Sequence, residues 1–386
     1  MISPDLSGKV AIATSPPGTN RLMSLDALRG FDMFWIIGGR ELVLAFSALV
    51  VTPTPKWLDA QLKHIAWGGF TFWDLIMPLF LFLVGTSMAF SFPRRMEQGA
   101  GRREMYRKML TRAAILWVLG MVAQGHLLDF HYAKLSVLSN TLQAIALGYL
   151  VAGVALLHLP RSGQAALAAA LLVGYWLLMV CVPFDGHPAG TYEQKANLAS
   201  HFAKTLREAF DGYLPNGGYA WLPSTLTFGA NVLLGVLAGH VLRSGSSGWR
   251  KVLWLLACGS GCLALGWVWS YWFPIVKWLF SSTFVLWACG WSYLLLALFY
   301  AVIDVIGLRR WAFPLVVIGS NAIVAYCFHF PDPGVQIQWR GISDPFLTGL
   351  ARHLGRFGEP LLMLAGFAVM WGVLSLLYRN KKFLRV

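Results

Sequence analysis

The stretch that decides the fold spans residues 63–92 and reads KHIAWGGFTFWDLIMPLFLFLVGTSMAFSF. Its apolar part, residues 70–92, is long enough to cross a bilayer as a helix, which takes about 20 residues. Asp74 is the one ionisable residue of that part, roughly one helical turn from its start. A carboxylate at this depth is costly unless it faces the protein interior and has a partner, so it indicates a functional site. His64, in the preceding polar loop, is the nearest titratable candidate.

The composition of the whole chain agrees with a membrane protein. Of the 386 residues 57% are hydrophobic and 12% are charged, whereas soluble domains have about 25% charged residues. Nucleic-acid binding is not predicted from the net charge of +14, because the basic residues lie between apolar runs, as membrane topology requires. The apolar runs are residues 25–50, 70–92, 109–128, 138–158, 165–183, 221–242, 252–273, 278–303, 313–330 and 360–378.

These ten runs predict an all-α, polytopic membrane helix bundle with both termini on one side. Most of the 31 Lys and Arg residues fall on that side, including the cluster between residues 94 and 112, so the positive-inside rule makes it cytoplasmic. His64 then faces the outside. We expect a flexible cytoplasmic tail over residues 1–20 and a single transmembrane domain over residues 21–386, with outer loops at about 184–220 and 331–359.

The first of these outer loops contains a helical pattern. Leu198, Phe202, Leu206 and Phe210 recur every four residues, which is the spacing of an amphipathic helix. The pattern predicts an interfacial helix or a lid over the outer mouth of the bundle.

Charged residues also open the first apolar run. Asp26, Arg29 and Asp32 follow one another at three-residue spacing and would share one helix face, which predicts an Asp-Arg-Asp ladder near the cytoplasmic surface. Such a ladder is either a structural ion network or a place where Arg29 holds an anionic ligand. An alternative hypothesis is a transporter, in which this ladder and Asp74 form an Asp/Arg ion path. A transporter of this kind is expected to have internal repeats and broken helices.

Four separated segments carry a family resemblance. They are SLDALRGFDMFWIIGG at 24–39, KHIAWGGFTFWDLIMPLFLFLVGTSM at 63–88, LQAIALGYL at 142–150 and IGSNAIVAYCFHF at 318–330. In this order they resemble the transmembrane acyltransferases of the heparan-alpha-glucosaminide N-acetyltransferase family, and most closely its bacterial branch. The resemblance covers nearly the whole membrane region and places the chain in a bacterial inner membrane as a multi-pass protein.

The resemblance implies acetyl transfer from cytosolic acetyl-CoA to the amino group of glucosamine, or of a terminal amino sugar, across the membrane. It gives His64 the role of the catalytic histidine and matches Asp74 to the carboxylate at the start of the next helix. Asn321 matches a conserved polar position, with His329 two turns later. The natural acceptor stays open, and an O-acyltransferase acting on envelope glycans is a second enzyme hypothesis.

The residue types suit this chemistry. Acylation of an amine removes a proton, and the unperturbed pKa of histidine lies near neutrality. A neighbouring carboxylate fixes the tautomer of the ring, and the ring is also able to carry the acetyl group covalently. We therefore predict His64 and Asp74 as catalytic residues. We predict that acetyl-CoA is bound by Arg29, Gln143 and Asn321, and that the acceptor is bound by His329 and Trp67. The alternative for each of these residues is a structural role in the bundle.

No metal is predicted as a cofactor. His126, Asp129 and His131 are potential ligands, but no further ligand follows at a diagnostic spacing. The expected partners are acetyl-CoA, an amino-sugar or glycan acceptor and the lipid bilayer, and a homo-oligomer is compatible with the sequence.

Overall fold

The computed structural model of the chain describes residues 22–129, 140–209, 221–329 and 339–383. Within these ranges the chain is helical and has no strand beyond isolated bridges. The helices are α1 Met23–Phe34, α2 Arg40–Val50, α3 Lys56–Gln61, α4 Phe72–Glu97, α5 Arg102–Gln124, α6 Thr141–His158, α7 Arg161–Cys181, α8 Leu198–Ala209, α9 Trp221–Arg243, α10 Gly248–Trp269, α11 Ser282–Phe299, α12 Phe313–Ser320, α13 Ala322–His329, α14 Trp339–His353 and α15 Gly358–Arg379.

Eight helical segments of the described ranges are long and apolar enough to cross a membrane. They are α1 and α2 joined by a π-helical turn, α4, α6, α7, α9, α10, α11 with the turn that follows it, and α15. The all-α polytopic membrane bundle is therefore confirmed. Two of the ten predicted crossings are less regular. In α5 basic residues extend as far as Arg112, and the run at 313–330 is broken at Asn321 into two short helices.

Helix α4 lies at the centre of the bundle and packs against α9, α6 and α11. Its contact with α9 is close at Gly85, where an added Cβ would overlap the Val232 carbonyl oxygen. Pro78 does not interrupt α4, and the Asn231 amide of α9 donates to the Pro78 carbonyl at 3.2 Å. From Phe72 onward the apolar run of 70–92 is thus one continuous, largely buried helix.

Two other helices depart from regular geometry within the membrane region. The turn Trp35–Gly39 between α1 and α2 is π-helical, and Gly38 has φ 134, a conformation that side chains with a Cβ rarely adopt. Asn321 separates α12 from α13 and is buried. The bundle therefore contains a broken helix, which was an expectation of the transporter hypothesis.

Contacts between connecting segments gather at two ends of the bundle. At one end the His64 loop contacts residues around Val276, and the Trp67 indole donates to the Tyr192 carbonyl at 2.9 Å. At the other end Arg243 lies 3.7 Å from Glu97. These groupings agree with the predicted outer and cytoplasmic sets of connections, and which end faces the cytoplasm stays a prediction.

The predicted outer loops contain helices of their own. The spacing in the first loop correctly predicted α8, although Phe210 lies outside the described residues. The stretch expected as a loop at 331–359 contains α14, which packs along α15. The predicted tail, residues 1–20, also lies outside the described residues.

Candidate active site

The loop before α4 is fixed by hydrogen bonds to a distant segment. The Gly69 amide donates to the Ile275 carbonyl at 2.8 Å, and the neighbouring Gly68 forms an isolated bridge with Val276. Within the loop, the Thr71 hydroxyl lies 2.8 Å from the Lys63 carbonyl and 2.9 Å from Asp74 Oδ2, so these two acceptors share its single proton. These contacts join the start of α4 to the connection between α10 and α11.

Asp74 lies in the first turn of α4 and is completely buried. Its Oδ2 accepts from the Thr71 hydroxyl at 2.9 Å and from the Thr71 amide at 3.1 Å, so it helps to cap the helix. Its Oδ1 points toward the loop. The hydrogen bonds at the start of α4 therefore hold the Asp74 carboxylate in one orientation.

His64 meets that carboxylate directly. Its Nδ1 lies 2.9 Å from Asp74 Oδ1, and its side chain is 39% exposed while that of Asp74 is 0% exposed. A histidine held through Nδ1 by a buried carboxylate presents Nε2 as the ring nitrogen for proton or acyl transfer. The contact predicted between these two residues is present, and their catalytic roles stay predictions.

Lys277 is the third member of this cluster, and the sequence analysis missed it. Its Nζ lies 3.1 Å from Asp74 Oδ1 and 2.7 Å from His64 Nδ1. The lysine lies in the connection between α10 and α11, and its side chain is 3% exposed. Burial lowers the pKa of Lys277 to about 8, although Asp74 opposes this shift. A single lysine in the apolar sequence WFPIVKWLF, residues 272–280, was the available signal.

Two tryptophans lie near the histidine ring. The ring centroids of Trp73 and Trp278 lie 6.2 Å and 6.3 Å from that of His64. Arg40 of α2 donates to the Leu62 carbonyl at 2.8 Å and lies 5.7 Å from the Trp73 ring centroid, so it holds the loop and the tryptophan rather than the histidine. His64 thus lies in an aromatic setting.

Comparison with known proteins bears on the sequence that forms this site. The family model described as "Heparan-alpha-glucosaminide N-acetyltransferase, catalytic" matches residues 21–197, which include His64 and Asp74 but not Lys277. The match supports a heparan-alpha-glucosaminide N-acetyltransferase-like family for this chain. Two relatives carry the name heparan-alpha-glucosaminide N-acetyltransferase. The human protein is 23% identical over 436 residues, and the mouse protein is 27% identical over 117 residues.

Coverage differs between these two relatives. The human alignment covers 96% of this chain and 62% of the human protein. The mouse alignment covers 30% of this chain and 16% of the mouse protein. The chain thus spans less than two thirds of the length of the relatives that it matches.

The predicted Asp-Arg-Asp ladder at the start of the first crossing is only half formed. Arg29 contacts Asp26 at 3.1 Å and donates to the Ser87 hydroxyl of α4 at 2.7 Å. Asp32 is completely buried, and its oxygens have no hydrogen-bond partner among the described residues. The predicted Arg29–Asp32 pairing is therefore wrong. Helical side chains lean toward the helix N-terminus, which carries the guanidinium toward Asp26.

The other predicted ligand-binding residues lie on several elements. Gln143 is buried at the start of α6, where its side chain accepts from the Asn140 amide at 3.3 Å. Asn321 is buried at the break between α12 and α13. His329 ends α13, and its side chain lies outside the described set. The indole N–H of Trp67 bonds to the Tyr192 carbonyl, which shows a structural contact for this residue. The predicted binding roles of all four stay predictions.

The prediction of no metal cofactor also stays a prediction. His126 and Asp129 are described, but His131 lies outside the described residues. Among the described residues no group of three potential ligands is placed to hold a metal ion.

Proposed function

We propose that this protein is a transmembrane acetyltransferase. It takes the acetyl group of cytosolic acetyl-CoA and transfers it to the amino group of glucosamine, or of a terminal amino sugar, at the outer face of the membrane. The observation that carries the proposal is the 2.9 Å contact between His64 Nδ1 and the buried Asp74. Both residues lie within the region that matches the catalytic model of the family, and the names of the human and mouse relatives give the reaction.

His64 acts in one of two ways. In direct transfer, Nε2 removes the proton from the acceptor nitrogen as that nitrogen bonds to the thioester carbon, and the C–S bond breaks to release CoA. In the two-step route, Nε2 itself bonds to the acetyl carbon as the C–S bond breaks. The acceptor amine then takes the acetyl group as the bond to Nε2 breaks, and its proton passes to the freed Nε2. In both routes Asp74 orients the ring through Nδ1.

The donor enters from the cytoplasmic end. We assign the CoA phosphates to Arg29 and to the basic cluster between residues 94 and 112. Asp26 and Ser87 hold the Arg29 side chain. Gln143 and Asn321 are buried, and we assign them to the pantetheine arm. Phosphates are too costly to move into hydrocarbon, whereas a neutral arm is able to cross in a protein-lined passage.

The acceptor approaches from the outer end. Trp73 and Trp278 beside His64 supply apolar ring faces, and we assign Trp67 and His329 to the same acceptor region. Residues 21–386 form one membrane domain in this proposal, and the protein lies in the bacterial cytoplasmic membrane with both termini inside.

The test is acetyl transfer by purified protein, with acetyl-CoA and glucosamine supplied and both N-acetylglucosamine and free CoA thiol measured. We expect His64→Ala to abolish transfer. The matched control is His353→Ala, because His353 is an exposed histidine of α14. Activity that survives in the folded His64→Ala variant would refute the proposed site. Radiolabelled acetyl-CoA without acceptor separates the two routes, since only the two-step route leaves label on the wild-type protein.

A transporter is the second candidate, and two observations favour it. Asp32 is buried without a described hydrogen-bond partner, and the crossing at 313–330 is broken at Asn321. A transporter would move substrate into proteoliposomes without forming an acetylated product, so the same preparation tests both candidates. Supplying a hydroxyl acceptor in place of the amine tests the O-acyltransferase hypothesis.

A further inference from the structure

Arg112 lies on the inner face of α5, whereas the other basic residues of that helix are exposed. It follows the buried residues Met105 and Met109 by about two turns and one turn, so the three share a helix face. Its Nε atom is buried, and its guanidinium lies 4.7 Å from the ring centroid of Tyr149 of α6. The exposed basic residues of α5 are Arg102, Arg103, Arg107 and Lys108.

The described part of the chain provides no counter-ion for this guanidinium. Arg112 forms no ion pair with a carboxylate there, and its Nε has no hydrogen-bond partner. Other cations are paired, since Lys108 lies 2.6 Å from Glu104 and Arg243 lies 3.7 Å from Glu97. Contact with one aromatic ring stabilises a cation by less than its burial costs. A buried cation in this condition indicates a ligand of opposite charge.

A second cation faces the same place. Arg95, at the end of α4, is close enough to Arg112 to repel it, and it too forms no ion pair among the described residues. The acidic residue near Arg95 is Glu104, which is already paired with Lys108. Two guanidinium groups without a carboxylate of their own favour an anion with more than one negative charge, and phosphate groups match the guanidinium fork.

Resting on the proposed function, we propose that Arg112 is the member of the basic cluster that binds the phosphate groups of the acetyl-CoA donor directly, with Arg95 as the second cation. Arg112 lies roughly 15 Å along α5 from the start of that helix at Arg102. It therefore draws the nucleotide end of the donor into the bundle and compensates for the cost of placing phosphate there. The exposed members of the cluster attract the donor at longer range and set the topology.

The test measures binding to the purified full-length protein by isothermal titration calorimetry. The probes are CoA, adenosine 3′,5′-bisphosphate, which is the nucleotide without the arm, and pantetheine, which is the arm without phosphates. Arg112→Met should weaken the binding of CoA and of the bisphosphate roughly 10-fold or more, as loss of a hydrogen bond to a charged group does. The binding of pantetheine should be unchanged.

Two further variants refine this test. Arg112→Lys keeps the charge and loses the planar fork, so its affinity for CoA should lie between those of wild type and Arg112→Met. The matched control is Arg250→Met, because Arg250 is an exposed arginine of α10 outside the basic cluster. We expect this control to bind all three probes as wild type does. If Arg112→Met does not fold, Arg112→Gln serves in its place.

Several outcomes would overturn the proposal. One is wild-type affinity for CoA in folded Arg112→Met, another is an equal loss in Arg103→Met, and a third is a wild-type protein that does not bind CoA. Phosphatidylglycerol binding, followed by native mass spectrometry, tests the other source of phosphate. If Arg112→Met loses only the lipid, Arg112 binds a headgroup instead. A wild-type protein that binds CoA without transferring acetyl refutes the proposed function, while the binding series still decides the role of Arg112.

Discussion

Thr71 and Asp74 cap the first turn of α4 together, since the hydroxyl and the amide of Thr71 both donate to Asp74 Oδ2, at 2.9 Å and 3.1 Å. This leaves Oδ1 for His64 and Lys277. The Asp74 side chain thus caps the start of α4 and also orients the ring of His64, the candidate catalytic residue. Its two oxygens have separate partners, so their contributions are separable by mutation.

Asp74→Asn should remove most of the activity. An amide presents one acceptor oxygen instead of two, so either the Thr71 cap or the contact with His64 meets an NH₂ group. The negative charge that stabilises an imidazolium is also lost. We expect kcat/KM for acetyl transfer to fall roughly 100-fold or more, as for loss of general acid-base assistance.

Thr71→Val is the matched control for this change. It removes the hydroxyl, with its contacts to Oδ2 and to the Lys63 carbonyl, and leaves the amide of residue 71 and the contact at Oδ1. Loss of a capping hydroxyl costs about 1 kcal/mol of stability, so a lower melting temperature with activity within threefold of wild type is expected. If folded Thr71→Val is as inactive as Asp74→Asn, the division between the two oxygens is incorrect.

The centre of the bundle should not tolerate a side chain at Gly85. A Cβ there would overlap the Val232 carbonyl oxygen of α9, and backbone cannot give way as a flexible side chain does. Gly85→Val should therefore yield little folded protein by size-exclusion chromatography. Gly174→Val in α7 should yield normal amounts, because no atom lies within 4 Å of the added Cβ. Similar yields of both variants would contradict the close α4–α9 contact.

The sequence was sufficient for the membrane class, the long apolar helices and the His64–Asp74 contact. Hydrophobic runs are local features, and ten residues separate this pair along the chain. Lys277 was different, because 213 residues separate it from His64. From the sequence, Lys277 could be assigned only to the connection between two crossings. A local sequence pattern does not predict a contact between residues so far apart in the chain.

The break at Asn321 was also missed, and it lies beside a close contact with a distant helix. An added Cβ at Gly319, just before it, would overlap the Asp26 carbonyl oxygen of α1. The apolar run at 313–330 looks continuous without that neighbour. The incorrect Arg29–Asp32 pairing has a related cause. Helical spacing shows that the two residues share a face, but it does not show that Arg29 bonds to Ser87 of α4.

Lys277 should also affect stability at alkaline pH. Its pKa is about 8 in the folded protein and 10.5 for an ordinary lysine. Between these values the unfolded chain binds more protons, so the contribution of Lys277 to the free energy of unfolding rises with pH. Relative to Lys277→Met, wild type should gain up to roughly 1.4 kcal/mol per pH unit between about pH 8 and 10.

Melting temperatures of both proteins across this range provide the measurement. Below about pH 8 the difference between them should be constant, because Lys277 is then protonated in the folded and the unfolded chain. Lys63→Met is the control, since Lys63 is 56% exposed and its replacement should leave the slope unchanged. Parallel curves for wild type and Lys277→Met would show that the lysine titrates normally.

Trp67→Phe should loosen the segment around Tyr192. The change keeps an aromatic ring and removes the indole N–H that donates to the Tyr192 carbonyl at 2.9 Å, a contribution of about 1 kcal/mol. We expect faster hydrogen exchange in peptides spanning residues 188–200 and no change in α9. Trp57→Phe, at a position that is 69% exposed, is the control. If exchange is unchanged while KM for the acceptor rises severalfold, Trp67 acts on the acceptor rather than through Tyr192.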